Sequence, residues 1–176
     1  MCLLLGTLLQ INWRSEAQPP VFTEYQVKAL FLLNFTKYVD WPATAFGQAD
    51  SPITIGVIGE NHFGEDLKKA VEGKSVNGRK IVILPLESES DWSKCHILFI
   101  SASEKKRLPE ILAKVCALPI LTVSETDQFI QQGGMINFTR KDGKVRLEVN
   151  LESARQAELG ISSKLLSVAD AVRRKP

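Results

Sequence analysis

Two residue types that carry much enzyme chemistry are scarce in this chain: of its 176 residues, two are histidine and three are cysteine. With so few donors there is no spaced Cys/His cluster to complete a zinc site, and Cys95 and His96, being adjacent, point to opposite faces of any strand they occupy. His96 opens an apolar run and reads as a satisfied core histidine, which leaves little general-base equipment near neutral pH. Charge of one sign is missing too. Lysine plus arginine number 22 against 20 acidic residues, a formal charge of +2, too small for a surface that tracks nucleic-acid phosphates. Phosphate and hydrolase signatures are absent as well. Gly73-Lys74-Ser75 lacks the first P-loop glycine, Gly56 to Gly64 lacks dinucleotide spacing, and no serine sits in Gly-x-Ser-x-Gly. The third and fourth predicted strands end at Ser101 and Ser124, without the carboxylates that would gather magnesium. The expectation is a protein without cofactor or metal that is not an enzyme.

Long apolar runs are also lacking. Leu3 to Leu9 is too short to span a bilayer and is followed by Ser15-Glu16-Ala17, whose small residues suit a signal peptidase. Residues 1–17 therefore read as a leader cleaved after Ala17, and 18–176 as one exported domain. Cys2 precedes the apolar run, the wrong order for a lipid-modified cysteine. Removing it leaves Cys95 and Cys116, which fall at the same end of a strand–helix unit; they either pair as a disulfide or stay as inert thiols.

What is present is an alternation of strands and helices. Thr23 with Gln26 forms a capping box and Phe22 with Val27 a hydrophobic staple, so a helix starts at Glu24, with Val27, Leu30, Phe31, Phe35 and Tyr38 as its inward stripe. Trp41-Pro42 forces the chain out of helix. Strands follow at Ile53 to Ile58, Lys80 to Leu84, His96 to Ile100 and Ile120 to Val123, separated by helices over Phe63 to Val71 and Leu108 to Cys116. Their continuous apolar character predicts a doubly wound α/β fold, a mostly parallel sheet with helices on both faces. Ser124 with Asp127 caps a further short helix that Gly133-Gly134 ends. Asp142-Gly143 then joins two strands, Met135 to Thr139 and Val145 to Val149, as an antiparallel hairpin at the sheet edge. Asn150 caps a helix to about Glu158. A last helix from Ser162 or Ser163 carries Leu165, Leu166, Val168, Ala169 and Val172.

Taken together, Asn34-Phe35-x-Lys37-Tyr38-Val39-x-Trp41-Pro42, Ile53 to Gly59, Gly78-Arg79-Lys80-Ile81, Cys95 to Ile100, Leu121 to Ser124, Gly133 to Ile136, Glu148-Val149-Asn150 and Leu165-Leu166 resemble the YfiR/HmsC-type family. The likeness runs from about Tyr25 to Val172. It implies a periplasmic regulator that binds the sensing part of an inner-membrane diguanylate cyclase and inhibits it, lowering cyclic-di-GMP and biofilm formation. It implies as further partners an OmpA-like outer-membrane lipoprotein that sequesters the regulator, and a second copy in a homodimer. Similar proteins bind through the hairpin and the helix after it, which here points to Ile136, Glu148, Asn150 and Ala154. Asn150 also reads as a helix cap, and Glu148 as a solvated strand face. The rival reading is a small-molecule-binding sensor module, with its ligand at the carboxyl ends of the parallel strands near Glu60, Ser101 and Ser124.

Overall fold

Residues 22–174 are described by a computed structural model of the chain; the expected leader, Cys2 and Lys175 lie outside them. Helix α1 (Glu24–Tyr38) begins where the capping box puts it. The Thr23 hydroxyl accepts from Gln26 N at 3.3 Å, and Gln26 Oε1 accepts from Thr23 N at 3.0 Å. Its buried face differs from the expected stripe: Ala29, Leu32, Leu33 and Phe35 point inward, while Leu30 stays 40% exposed. The helix is apolar on several sides, so spacing alone does not select the side that faces the sheet.

Short strand β1 (Val39–Asp40) leads out of α1, then β2 (Ile53–Ile58), α2 (Asp66–Val71), β3 (Ser75–Val76), β4 (Arg79–Ile83), β5 (Ile97–Ile100), α3 (Leu108–Val115) and β6 (Leu121–Ser124) alternate along the chain. After them come β7 (Ile136–Lys141), β8 (Lys144–Asn150), α4 (Leu151–Gln156), β9 (Gly160–Ile161), α5 (Ser163–Leu166) and β10 (Ala171–Arg173). Among the described residues the main sheet has eight strands in the order β10-β8-β7-β6-β5-β2-β4-β3, and β1 pairs with β9 apart from it. Strands β4, β2, β5, β6 and β7 run parallel, β7 and β8 antiparallel. Every residue of β5 and β6 is buried, as strands covered on both faces must be. One face carries α1, with Leu32, Phe35, Ile55, Phe99 and Phe138 in a common core. The other carries α3, whose Leu108, Ile111, Leu112 and Val115 repeat at three and four residues and pack on Leu98 and Ile100.

Three expectations meet a different outcome. The segment after Ser124 forms successive turns and no helix, because Gln128 takes a left-handed φ of 61° that breaks helical continuity. The expected last helix stops at Leu166, and Ala171 to Arg173 pair with Glu148 to Asn150 instead; the outer backbone of β8 offers hydrogen bonds that a frayed helix end lacks. The hairpin is therefore flanked by β10 at its base. Asn77-Gly78, both at positive φ, also close a small β3–β4 hairpin, a dipeptide that is a standard hairpin signal. The Asp142-Gly143 turn forms as expected, with both residues at positive φ.

Gly134 has a packing reason to be glycine: a Cβ there would lie 2.2 Å from Phe129, a ring with no exposed surface. Replacing Gly134 with alanine is expected to lower unfolding free energy by about 1–3 kcal/mol, the usual cost of overpacking, read as a shift in the urea midpoint. An unchanged midpoint would show that the Phe129 ring has room to give way.

Candidate functional site

The four residues nominated for partner binding come together at the base of the hairpin, but three are inside the protein. Ile136 has no exposed surface, and Ala154 is 1% exposed in the same core. Asn150 is buried: its Oδ1 accepts from Ser153 N at 3.2 Å, capping α4, and its Nδ2 donates to Ile130 O at 2.9 Å. These are framework roles. Glu148 is half-buried, with Asn137 Nδ2 at 3.5 Å, and of the four it is the one with surface to offer. The cysteines are free thiols in separate surroundings. Cys95 is buried beside Gly56 and Leu86, and burial, aided by the charge of Asp91, pushes its thiol up to about 12. Cys116 is exposed and lines a groove of about 300 Å³ between α3 and α4 with Thr122, Met135 and Ser153.

The crevice expected for a small molecule is filled at the switch point between β2 and β5, where Ser101 has no exposed surface, and Ser124, at the end of β6, has none either. A polar cavity of about 450 Å³ opens beside it at the carboxyl ends of β5 to β7, lined by Lys28, Ala102, Glu125 and Asn137. The Ser124 hydroxyl donates to Ile100 O at 2.7 Å, and Ser103 Oγ accepts from Glu60 N at 2.9 Å. A Cβ at Gly59 would meet Ser103 Oγ at 2.4 Å, so even the backbone gap is filled.

The open surface lies beyond it, at the hairpin tip. Strand β7 pairs with β6 only through Ile136 and Asn137, and β10 covers β8 only from Glu148. From Phe138 to Arg146 the ribbon therefore stands clear of neighbouring strands on both sides. Arg140, Lys141, Lys144 and Arg146 give its tip four basic residues against one acid, Asp142. On the α1 face, Arg140, Gly143, Lys144 and Val145 form one wall of a groove of about 440 Å³ whose other wall is Phe22, Glu24, Val27 and Phe31. Phe22 is 56% exposed, so the staple it was expected to form with Val27 leaves most of the ring in water.

A buried cation sets the position of that wall. Lys28, one turn into α1, is 3% exposed and donates to Glu24 at 2.5 Å and to Glu125 at 2.6 Å. Tyr25 donates its hydroxyl to the same Glu125 at 3.0 Å, and the Lys28 ammonium sits 4.6 Å from the Tyr25 ring centre. Hydrogen bonding to Lys28 holds the Glu24 carboxyl below its usual range, and burial, with the Glu125 charge, pushes the Tyr25 phenol up. Glu24 also reaches Arg140 at 3.4 Å, tying the helix to the hairpin tip. The Glu24–Lys28 half of this network is visible in sequence as an i,i+4 pair. Its other half joins residues 97 apart and has no local signal. Among the described residues no group of three His, Cys, Asp or Glu side chains is placed to hold a metal ion, and no helix is long and apolar enough to cross a membrane.

The family model of YfiR/HmsC-like proteins matches residues 25–170. The chain belongs to the YfiR/HmsC-like family. At family level these are periplasmic regulators of diguanylate cyclases. No curated protein sequence matches the chain. Among solved structures it is similar to a conserved domain protein from Vibrio cholerae O1 biovar El Tor, with 13% identity, a TM-score of 0.51, and coverage of 68% of this chain and 54% of that one. A streptococcal ABC domain in complex with L-Trp gives a TM-score of 0.49 at 11% identity, covering 69% and 56%. The chain thus spans about half the length of these structures, and the first supports the α/β fold alone.

Two stretches of the YfiR/HmsC-like pattern meet around His96. The Trp41 indole donates to the His96 carbonyl at 3.2 Å, and Phe46 stacks on the imidazole at 4.5 Å. His96 Nδ1 accepts from Thr54 N at 3.1 Å, while its buried Nε2 has no well-formed partner. Burial lowers the His96 pKa; the Ala45 carbonyl pulls the other way and the Arg79 charge adds to the lowering.

Two outcomes follow. Lys28→Met leaves Glu125 facing the protein interior with only the Tyr25 hydroxyl, and is expected to cost about 3 kcal/mol in urea unfolding; a loss below the measurement error would show that the network contributes nothing. For His96 the folded chain holds its proton less tightly than the unfolded chain, whose imidazole titrates near 6.5. The stability it contributes is present above that pH and is lost as pH falls below it. Urea midpoints measured from pH 7.5 down to 5 should decline, and the decline should be shallower in His96→Asn. Equal slopes would assign the pH dependence to other groups.

Proposed function

We propose that this protein is a negative regulator that binds the sensing region of an inner-membrane diguanylate cyclase in the periplasm and holds the enzyme inactive, lowering cyclic-di-GMP and biofilm formation. The observation that carries this reading is the exposed apolar groove beside a projecting basic hairpin in a chain of the YfiR/HmsC-like family. Solvated apolar surface of this kind favours association. Inhibition requires that the surface bind the inactive cyclase better than the active one, since equal affinity shifts no population. Export through the leader cleaved after Ala17 places residues 18–176 in the compartment where the cyclase's sensing region lies. An OmpA-like outer-membrane lipoprotein relieves inhibition by competing for overlapping surface, and a second copy of the chain is a further partner, in a homodimer. Glu148, half-buried at the hairpin base, extends the binding surface away from the groove.

Deleting the coding sequence from cells that express the cyclase should raise cellular cyclic-di-GMP several-fold, and restoring the intact chain should return it to the starting level. An unchanged cyclic-di-GMP level in the deletion strain, with the cyclase present in the membrane, ends this reading.

A further inference from the structure

The groove between α1 and the hairpin tip has a chemistry that selects its occupant. Its walls are apolar, with Phe22, Val27 and Phe31 on one side and Val145 on the other, and its volume of about 440 Å³ is ample for a bulky side chain and its flanking backbone. The rim is cationic. Glu24 is already held by Lys28 and reaches Arg140 only at 3.4 Å. Asp170 lies 3.9 Å from Lys141 and 3.8 Å from Arg146, beyond hydrogen-bond range, and among the described residues Lys144 has no ion-pair partner. Glu24 and Asp170 thus offset Arg140, Lys141 and Arg146 only in part, and with four basic residues to one acid the tip keeps a positive charge among the described residues.

We propose that this groove is the docking site for an acidic, apolar segment of the partner protein: one bulky apolar side chain enters between Phe22, Phe31 and Val145, and carboxylates flanking it reach Arg140 and Lys144. The inference rests on the regulatory reading and adds the chemistry of the partner segment. Both residues line the groove, Arg140 on the face it shares with Val145 and Lys144 beside the turn on the other face, so carboxylates on either side of the apolar anchor reach one each. The ribbon edges beside the groove also carry outward backbone groups. A two-residue turn makes Lys141 and Lys144 a hydrogen-bonded pair, so the alternation of an antiparallel ladder turns the amides of Arg140 and Val145 away from each other. The Leu147 carbonyl, two residues on from Val145, is outward in the same way and accepts from Asp170 N at 2.8 Å. A second copy of the chain fits poorly, because a two-fold contact through this groove sets like-charged rims against each other. A membrane surface fits poorly as well, since it needs a convex apolar face and this one is concave.

The test is photo-crosslinking in cells that produce the full chain together with their own membrane diguanylate cyclase. A benzophenone amino acid replaces Phe22, Val145 or, away from the groove, Glu148, and the crosslinked peptides are mapped by mass spectrometry. Adducts from the Phe22 and Val145 positions are expected on one periplasmic stretch of the cyclase that contains a bulky apolar residue flanked by Asp or Glu. Charge reversal by Arg140→Glu with Lys144→Glu should cut the adduct yield about tenfold, a change of about 1.4 kcal/mol, while Arg140→Lys with Lys144→Arg keeps it within about twofold. Circular dichroism of the reversed variant separates loss of binding from loss of fold; these side chains are at the surface, and an unfolded variant is replaced by the single change Lys144→Glu. Adducts from the groove positions on a second copy, on lipid, on a basic stretch, or on nothing, while the Glu148 position still captures the cyclase, overturn the inference and leave the regulatory reading standing. Absence of cyclase adducts from all three positions removes both.

Discussion

The fixed point of this molecule is the Lys28 ammonium. It lies inside the protein between two carboxylates, one on its own helix and one just past the end of β6. Taking an unpaired charge out of water costs several kcal/mol, so the cation stays buried only while both acids close on it. That condition locates the first two turns of α1 over the carboxyl end of the sheet. The need is acute because α1 is apolar on more than one side and hydrophobic burial alone is non-directional. A helix with Ala29, Leu32 and Phe35 inside and Val27, Leu30 and Phe31 further round could roll by tens of degrees at little cost in buried area. The paired lysine removes that freedom, and by doing so it leaves Phe22 and Phe31 facing the hairpin as one wall of the groove.

The usual ligand position of a doubly wound fold is filled at its switch point by local packing. In such sheets the crevice opens where strand order reverses, which here is between β2 and β5. The short helical turn after β5 fills it, with Ser103 bonded to the backbone at Glu60 and Gly59 too closely packed to carry a side chain. Accessible surface is displaced sideways, to the strands added after the parallel core. The hairpin projects because its neighbours are short: β6 stops two residue pairs into β7, and β10 has three residues. Exposed strand edges are normally blunted by charge to prevent indiscriminate pairing, and the four basic residues at the tip do that here.

Local chemistry made much of this readable from residues alone. Thr23 with Gln26, Asp142-Gly143 and the Asn150 cap act through near neighbours, and each forms as its sequence implies. The apolar runs of the parallel strands are equally legible, because burial on both faces removes any alternation that could mislead. Legibility fails where the deciding contact is distant. Val172 has the spacing of a helix face, yet pairing with Val149 across the sheet wins. Ser124 and Asp127 look like a helix start, but the Ser124 hydroxyl is bonded to Ile100 on the neighbouring strand and Gln128 turns left-handed. The site suffers most from this limit. Ile136, Asn150 and Ala154 are buried at the hairpin base, because sequence order cannot tell the inside of a hairpin base from its outside when core strands flank both.

Magnitudes bear on whether one groove can regulate an enzyme. Shifting a two-state equilibrium a hundredfold needs a difference of about 2.7 kcal/mol in binding the two states. Burying one leucine- or phenylalanine-sized side chain yields about 1.5–3 kcal/mol, whereas an exposed ion pair contributes about 0–1 kcal/mol. An apolar anchor that reaches Phe22, Phe31 and Val145 in only one state of the partner therefore supplies nearly all of the required bias by itself. In the proposed complex Arg140 and Lys144 would add little affinity and would act on which segment arrives and in what register, since complementary charge acts chiefly on encounter rate and partner choice. A competitor need match only the anchor to displace the partner, which makes a single small apolar groove well suited to an interaction that has to be reversible.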